Sequence, residues 1–396
     1  MSIVKGIVAL LFIFALGFVV SSDRKNIRYK QMARMVVLQL VISFVCLHTM
    51  GGIKALSSVS GFFSWLMNQA AGGTDFVFGG FEFTPGGSVF FLNVLKPVVF
   101  ISALVGILNY IKVLPFVIKW VGRGISKITG MGELESYFSI STAVLGQPEV
   151  FLTIKEQIPK LSTKQLYTIC ASGLSAVSAA MLAGYMEMIE GKFVVVAVFL
   201  NIFSALIISC IVNPYDPKDE EVVEATVSEI KEKEPFFQML GTYILDGFHL
   251  AITVAAMLIG FVALVTFLNN SFDYLFHITF TEILGWVFSP IAFIIGVPHE
   301  DMVKVGGIMA TKLITNEFVA MGNLGEIVHS LTPKGAAIIS TYLVSFANFG
   351  TVGIISGSIS AIDKTQGMRV AKFSMKLLLG ATMASLLTAS IVGIFF

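Results

Sequence analysis

The sequence is poor in charged residues. Asp, Glu, Lys and Arg make up 13% of its 396 residues, where an average soluble protein has about 25%. A soluble domain of this size needs more charge to cover its surface, so the composition excludes a soluble enzyme and a disordered protein. The formal net charge is +1, which gives no reason to expect a nucleic acid or another polyanion as a partner.

Cysteine and histidine are also scarce. Cys46, Cys170 and Cys210 lie in apolar stretches with no CxxC spacing, and the five histidines are scattered. We therefore predict neither a disulfide framework nor a metal site. His299 and Glu300 begin like a zinc-protease motif, but the second histidine of that motif is missing.

Long apolar runs dominate what is present, since 56% of the residues are hydrophobic. Runs of about 20 apolar residues predict an all-α integral membrane protein in a lipid bilayer. Eight spans are expected, near residues 3–22, 33–53, 89–112, 165–190, 192–213, 248–269, 335–358 and 373–396. Three amphipathic stretches are expected to lie at the membrane interface, at 57–72, 114–130 and 280–296.

Two semi-polar segments, 131–160 and 300–328, separate these spans, and each has a polar cluster in its middle. If each segment enters and leaves the membrane on one side, all the arginines and most of the lysines fall in loops on the same face. The positive-inside rule then places that face in the cytoplasm and both termini outside. The two segments are therefore predicted to be re-entrant helical hairpins.

The order of elements is repeated along the chain. Residues 89–213 contain the first hairpin, residues 236–396 contain the second, and the hydrophilic segment 214–235 is predicted to be a cytoplasmic linker. Residues 1–88 hold two spans and an interfacial helix, which we interpret as scaffold. The first repeat begins outside and the second inside, and such inversion is typical of secondary transporters.

Four polar places within the repeats are predicted to lie at membrane depth. Two are hairpin tips, Gly146-Gln147-Pro148-Glu149 and Thr315-Asn316-Glu317-Phe318, and two are breaks in the following spans, at 175–177 and 346–349. Non-helical backbone at this depth must line a cavity or be buried in protein, and it can bind a polar solute or an ion.

The carboxylates of Glu149 and Glu317 are the most costly groups in these four places. Each costs about 2.5–3.5 kcal/mol or more at the bilayer centre, which favours a functional role. The alternative is a structural ion pair. Lys312 lies five residues before Glu317 and could be such a partner, so we interpret Lys312 as structural.

Three stretches carry a resemblance to a known family. LGQPEVF at 145–151, MATKLITNEFVAM at 309–321 and SFANFGTVGI at 345–354 resemble the concentrative nucleoside transporters, in particular their bacterial NupC-type branch. The resemblance implies a nucleoside symporter of the bacterial cytoplasmic membrane, assembled as a homotrimer. It implies that Gln147 and Glu149 bind the nucleobase, that Glu317 binds the ribose, and that further contacts come from Met181, Phe346, Asn348 and Thr351.

The same resemblance bears on the coupling ion, because the sodium-coupled members take ligands at positions that match Thr142, Leu145, Ala176 and Val177. Thr142 offers one hydroxyl, but Ala176 offers only its backbone. A proton needs only a titratable group, for which Glu149 and Glu317 are candidates. We therefore predict proton symport, with sodium symport as the alternative, and no cofactor.

The residues also suggest a substrate preference. Gln147 predicts pyrimidine nucleosides such as uridine and cytidine, with adenosine possible as well. Pro148 stands where the family usually has Thr or Ser, which removes a hydroxyl that could reach the base.

Two other classes of protein are alternatives to a transporter. An intramembrane enzyme needs a nucleophile with a base, an acid pair or a metal triad, and no such spacing occurs at membrane depth. A channel can also have paired hairpins, but a carboxylate at each tip favours binding of an organic solute.

Overall fold

The structure is a computed structural model, and it describes residues 2–78, 89, 91–92, 96–147, 149–216 and 235–396. Helices account for nearly all of these residues, and none of them forms a strand. The helices are α1 (Ser2–Val20), α2 (Tyr29–His48), α3 (Met50–Phe78), α4 (Lys96–Tyr110), α5 (Val113–Thr129), α6 (Glu133–Val144), α7 (Glu149–Leu152), α8 (Thr163–Ser175), α9 (Ala179–Met188), α10 (Gly191–Val212), α11 (Phe236–Phe276), α12 (Phe280–Ile294), α13 (Met302–Ile314), α14 (Glu317–Ile327), α15 (Pro333–Leu343), α16 (Phe349–Ile362) and α17 (Lys364–Ile394).

Within the described part, six helices or helix pairs are long and apolar enough to cross a membrane. They are α1, α2, α8 together with α9, α10, α11 and α17. The pair α4–α5 would be a seventh, although it bends by 79°. Each of these candidates coincides with a predicted span, so the fold class is confirmed, while the number of eight spans stays a prediction. The start of the span predicted at 89–112 and most of the linker predicted at 214–235 lie outside the described residues.

Three helices are longer than the hydropathy pattern predicts. α3 extends well beyond the interfacial stretch 57–72, α11 has 41 residues where 248–269 was expected, and α17 begins at Lys364 instead of 373. The polar residues of each first or last turn lower the local hydropathy without breaking the helix. At α17, for example, Asp363 caps the charged first turn by accepting a hydrogen bond from the backbone N–H of Gln366 at 2.8 Å.

The centre of the molecule is formed by α8–α9, α10 and α17, whose apolar segments are more than four-fifths buried. Buried amides and hydroxyls join helices there. Gln39 of α2 donates to the Leu200 carbonyl oxygen at 2.7 Å, and Thr388 of α17 donates to Asn201 Oδ1 at 2.7 Å. Such bonds satisfy polar groups that lipid cannot satisfy. In contrast, the apolar segment of α11 is only 6% buried, so most of its apolar side chains lie on the surface of the chain.

The loops that were predicted to share one face do lie together. The backbone N–H of Ser22 donates to the Val212 carbonyl oxygen at 3.0 Å, and Asn213 donates to that of Lys164 at 2.8 Å. Arg28 donates to the carbonyl oxygen of Gly130 at 2.8 Å, just before the first hairpin. We call this end of the molecule the basic end.

Both ends of the first hairpin lie at the basic end. Gln366, at the start of α17, donates to the carbonyl oxygens of Ile158 and Leu161, where that hairpin ends. The base of the second hairpin is closed separately, where Asp301 accepts from the backbone N–H of Thr332 at 3.0 Å. The two segments are thus re-entrant hairpins, each followed by a broken helix, as the sequence predicts.

Candidate functional site

The tip of the first hairpin lies between α6 and α7. α6 ends at Val144, and α7 begins at Glu149. A Cβ atom on Gly146 would lie 2.9 Å from Glu149 Oε2, so the glycine leaves room for that carboxylate to fold over the tip. Pro148 lies outside the described residues, and its predicted place at the start of the outgoing helix stays a prediction.

This tip contacts the first broken span, in which α8 ends at Ser175 and α9 begins at Ala179. The side-chain amide of Gln147 donates to the carbonyl oxygen of Gly173, in the last turn of α8. The last carbonyl groups of a helix lack donors from their own helix, so Gln147 satisfies one of them. The break falls at 176–178, close to the predicted 175–177.

The second tip and the second break are each closed by an asparagine that caps the outgoing helix. Asn316 accepts from the backbone N–H of Val319 at 3.0 Å at the start of α14, and Asn348 accepts from that of Thr351 at 2.8 Å at the start of α16. An asparagine is among the best residues at this position because its oxygen satisfies a free N–H of the first turn. The two N-termini hold the neighbouring polar side chains in fixed positions.

Glu317 is the centre of the polar group formed by these elements. It is 4% exposed, and its two oxygens have separate donors: Tyr185 donates its hydroxyl to Oε1 at 2.8 Å, and Asn348 donates its amide to Oε2 at 3.1 Å. Thr351 donates its hydroxyl to Asn348 Oδ1 at 3.0 Å. The structure therefore brings together Glu317, Asn348 and Thr351 from two distant segments, and we call these three residues with Tyr185 the Glu317 group.

Tyr185 was missed by the sequence analysis. A signal was present, because Tyr185 lies four residues after Met181 and so falls on the same face of α9. Met181 itself is buried, and Phe346 lies half-buried in the second break, two residues before Asn348. These two side chains are the apolar members of the predicted site.

Lys312 is not hydrogen-bonded to Glu317, although the sequence spacing allowed that pair. Its ammonium donates instead to the carbonyl oxygen of Tyr342 at 2.5 Å and to Ser345 Oγ at 2.6 Å. The two groups interact electrostatically without a direct hydrogen bond, so the pairing of Glu317 with Lys312 stays an alternative interpretation.

A small cleft opens beside Glu149. One wall comes from the first tip and break and includes Leu145, Gly146, Glu149 and Ser178, and the other comes from α4 and α11 and includes Tyr243 and Asp246. The residues Glu317, Asn348 and Thr351 do not line this cleft, and Asp246 was missed because nothing local marks it as facing the first hairpin.

The positions implied for a coupling cation surround the same tip. Thr142 donates its hydroxyl to the carbonyl oxygen of Ser139 at 2.9 Å, and Leu145 and Ala176 directly follow the last residues of α6 and α8. Val177 lies buried in the break. All four positions are thus found at the first tip or the first break, but Ala176 brings no side-chain oxygen.

Several buried oxygens at this tip and break have no hydrogen-bond partner among the described residues. They are Gln147 Oε1, Glu149 Oε2, Ser175 Oγ and Ser178 Oγ. Buried polar atoms are nearly always paired, so such a group indicates a place for water, a polar solute or a hard cation. Over the same described residues, His, Cys, Asp and Glu form no cluster of three or more that would hold a transition metal.

Three family models match the chain in order. They are described as Na⁺ dependent nucleoside transporter N-terminus at residues 8–81, Nucleoside recognition at 91–192, and Na⁺ dependent nucleoside transporter C-terminus at 193–393. The chain belongs to the concentrative nucleoside transporter family. It is a nucleoside transporter, and the alternative of an intramembrane enzyme is excluded because the family consists of transporters.

Individual relatives cover the whole chain. The purine nucleoside transport protein NupG of Bacillus subtilis is 36% identical over 98% of both chains, and the nucleoside permease NupC of Helicobacter pylori is 25% identical over 98% of this chain and 97% of its own. The solved structure of CNTnw in an inward-facing substrate-bound state matches with a TM-score of 0.94 at 28% identity, covering 100% of this chain and 98% of that one. A CNTnw variant in an outward-facing state matches with a TM-score of 0.93, again at 28% identity over 100% and 98%.

Proposed function

We propose that this transporter imports nucleosides by secondary active symport, with the Glu317 group and the tip of the first hairpin as the two parts of the substrate site. The observation that carries the proposal is the buried carboxylate of Glu317, which is held by two donors from two different broken helices. A charge at this depth is costly, and Glu317 begins α14 directly after the non-helical residues of the hairpin tip.

The ribose fits the Glu317 group. A ribose presents neighbouring hydroxyl groups, each of which donates one hydrogen bond and accepts others. The carboxylate of Glu317 accepts from such hydroxyls, and the amide of Asn348 donates to them. Each carboxylate oxygen has two lone-pair directions, so substrate hydroxyls can be added to the bonds from Tyr185 and Asn348.

The base is assigned to the first tip, with Met181 and Phe346 against its flat face. Gln147 supports the preference for pyrimidine nucleosides that the sequence predicts. Purine nucleosides are a second candidate, and one observation favours them: NupG, the 36% identical relative, is named for purine nucleosides. The unpaired atoms at the tip, Gln147 Oε1 and Glu149 Oε2, are acceptors, and they suit the ring N–H donor of guanine or hypoxanthine as well as that of uracil.

The proton is the proposed coupling ion. Glu149 is the main candidate to carry it, because it is half-buried, titratable and lies on the cleft. Sodium is the second candidate. The unpaired hydroxyls of Ser175 and Ser178 add oxygens to the break that contains Ala176, and hard cations take oxygen ligands.

The assembly and the orientation complete the proposal. The chain is a multi-pass membrane protein, and its bacterial relatives place it in a cell membrane. We propose that it functions as a homotrimer in the bacterial cytoplasmic membrane with both termini outside. The basic end then faces the cytoplasm, as the positive-inside rule requires.

Uptake into vesicles tests this function. Purified protein is reconstituted, and the initial uptake of labelled uridine is measured with unlabelled guanosine or cytidine as competitor. An inward proton gradient without sodium is compared with an inward sodium gradient at equal pH on both sides. We expect accumulation above equilibrium with the proton gradient alone. Accumulation only with sodium would replace the proton by sodium, and equal equilibration under all gradients would contradict symport.

A further inference from the structure

The ammonium group of Lys312 is fully buried, and the nucleoside site does not use it. Its hydrogen-bond partners are neutral: the Tyr342 carbonyl oxygen at 2.5 Å and Ser345 Oγ at 2.6 Å. The ammonium also lies 4.3 Å from the centre of the Tyr342 ring. Across the described residues, the ion pair within 4 Å is that of Lys192 with Glu190, so Lys312 has no carboxylate at that distance. Glu317 acts on Lys312 electrostatically but lies beyond this distance, so the groups that hold the buried ammonium directly require an explanation.

The position of this charge supplies one. α15 ends at Leu343, so Tyr342 is the second-last residue of that half-helix and Ser345 lies in the break that follows. The last carbonyl groups of a helix carry a partial negative charge and lack donors of their own. The ammonium of Lys312 therefore binds the negative end of a half-helix at membrane depth, in the place where a free cation would otherwise be favoured.

The charge of Lys312 determines which group donates and which accepts in the hydrogen bonds at the break. An ammonium has no lone pair, so Ser345 must accept from Lys312 and is free to donate to Ser385 Oγ of α17, which lies at 2.7 Å. Ser385 in turn donates to the Ala381 carbonyl oxygen at 3.1 Å. Lys312 thus connects the second hairpin, the second break and α17 through one chain of donors.

The first repeat is built differently at the matching place. There the hairpin side chain that reaches the last turn of the half-helix is the neutral amide of Gln147. Its own Oε1 and three neighbouring buried oxygens have no partner among the described residues. Over the described part of the second hairpin and its broken helix, no buried side-chain oxygen or nitrogen is left unpaired. The first break offers unpaired oxygens to a mobile cation, whereas the second is filled by a side chain that carries its own charge.

We propose that Lys312 is a positioning residue whose ammonium acts as a tethered cation: it holds the α15–α16 break in the geometry that places Asn348 against Glu317. Asn348 follows Ser345 by three residues and begins the helix that leaves the break. The proposal rests on the assignment of Glu317 and Asn348 to the nucleoside site, but not on the identity of the coupling ion.

Chemical rescue tests the charge directly. Lys312→Ala leaves a space for a small amine, and Lys304→Ala, on the exposed face of the same helix, is the matched control. We expect Lys312→Ala to lose at least tenfold in uptake of the nucleoside that the parent protein carries best. Ethylammonium chloride should raise the uptake by Lys312→Ala at least fivefold. Tetramethylammonium chloride, which has no N–H donor, should leave that uptake unchanged. Lys304→Ala should respond to neither.

A second readout does not depend on transport. The melting temperature of purified Lys312→Ala without substrate should rise with ethylammonium and stay constant with tetramethylammonium. If the melting temperature of Lys312→Ala rises with ethylammonium but the parent protein takes up no nucleoside, the proposed function is contradicted and the tethered cation is supported. If neither the uptake by Lys312→Ala nor its melting temperature changes with ethylammonium, the tethered cation alone is overturned.

Two further variants test the proposal if Lys312→Ala does not fold. Lys312→Met keeps most of the volume and removes the charge, so parent-like uptake by this variant would overturn the proposal. If it does not fold either, Ser345→Ala is compared with Ser390→Ala, which removes a buried hydroxyl bonded only within α17. We expect the KM of Ser345→Ala to rise at least threefold and that of Ser390→Ala to stay unchanged. Equal KM values in the two variants would overturn the proposal.

Discussion

The carboxylates of Glu317 and Glu149 have different surroundings, although each residue begins the helix that follows a hairpin tip. Each oxygen of Glu317 has a donor, from Tyr185 and from Asn348. Glu149 Oε2 has none among the described residues and lies on a cleft. The first arrangement fixes an acceptor for hydroxyl groups, while the second leaves a group that is free to take a proton or a donor from the base. Two chemically identical residues are thereby suited to different tasks.

The first prediction concerns the charge of Glu317. Glu317→Gln keeps the size of the side chain but replaces one acceptor oxygen with an N–H₂ group, which then faces a donor. We expect nucleoside uptake to fall at least tenfold, a loss of about 1.4 kcal/mol or more, with normal expression. Uptake is measured in reconstituted vesicles. Glu326→Gln, on the exposed face of the same helix, is the control, and parent-like uptake by Glu317→Gln would remove this residue from the site.

The second prediction concerns the hydroxyl of Tyr185. Tyr185→Phe removes one of the two donors to Glu317, and a hydrogen bond to a charged group contributes about 1.5–3 kcal/mol. We expect KM to rise about tenfold. The control is Tyr167→Phe, which loses a buried hydroxyl bonded to the Lys376 carbonyl oxygen at the basic end and should keep its KM. The prediction is wrong if the two variants have the same KM.

The structure brings together three of the residues that the sequence predicts for the site, and it connects them in ways that the sequence does not predict. Glu317, Asn348 and Thr351 could be predicted because a polar residue in an apolar run is conspicuous. Their contact with Tyr185 could not, because the two partners of that bond are 132 residues apart and no local pattern relates them. Lys312 donates to Tyr342 and Ser345, and not to the carboxylate that is nearest in sequence. These partners are also distant in sequence, so no local pattern predicts them.

The elements around the site show which features of a membrane helix are visible in a sequence. Both hairpin tips and both breaks lie within a few residues of their predicted places, because polar clusters there interrupt long apolar runs. The lengths of α3 and α11 were underestimated, since hydropathy reports where a helix meets an apolar environment and not where its hydrogen bonds end. The cleft between the first tip and α11 depends on packing between distant elements, so no sequence window predicts it.

The third prediction concerns the shape of the first tip. A Cβ atom on Gly146 would meet the flexible end of the Glu149 side chain at 2.9 Å, and it would not meet backbone. Gly146→Ala should therefore fold and move the carboxylate. We expect a melting temperature within about 2 °C of the parent, which corresponds to about 1 kcal/mol or less, together with at least a threefold rise in KM.

The control for this variant is Gly124→Ala, because a Cβ atom there has no neighbour within 4 Å. Its KM and melting temperature should both match the parent. If Gly146→Ala also keeps the parent KM, the position of the Glu149 carboxylate does not matter for transport. If it unfolds, the tip has less freedom than the contact with a side-chain end indicates.

At the scale of the whole molecule, the contacts sort the loops into two ends. Ser22, Gly130, Lys164 and Gln366 belong to segments that are linked at the basic end, where the first hairpin begins and ends. The other end contains the chain termini: Lys5 lies 5.1 Å from the centre of the Phe293 ring, and the rings of Phe193 and Phe396 lie 5.7 Å apart. A single orientation in the membrane therefore determines the side of both termini together.

The last prediction tests that orientation. The basic end concentrates arginine and lysine, which cytoplasmic loops retain, so we expect Phe396 outside and Lys25 inside. Phe396→Cys and Lys25→Cys are made in a Cys46→Ala background, because the other native cysteines, Cys170 and Cys210, are buried. In intact spheroplasts, a membrane-impermeant maleimide should label Phe396→Cys at once and Lys25→Cys only after permeabilisation. Both positions are exposed, so accessibility in the folded chain does not limit the reaction. The reverse labelling pattern would contradict this orientation. It would place the basic end, where the first hairpin begins and ends, on the outer face.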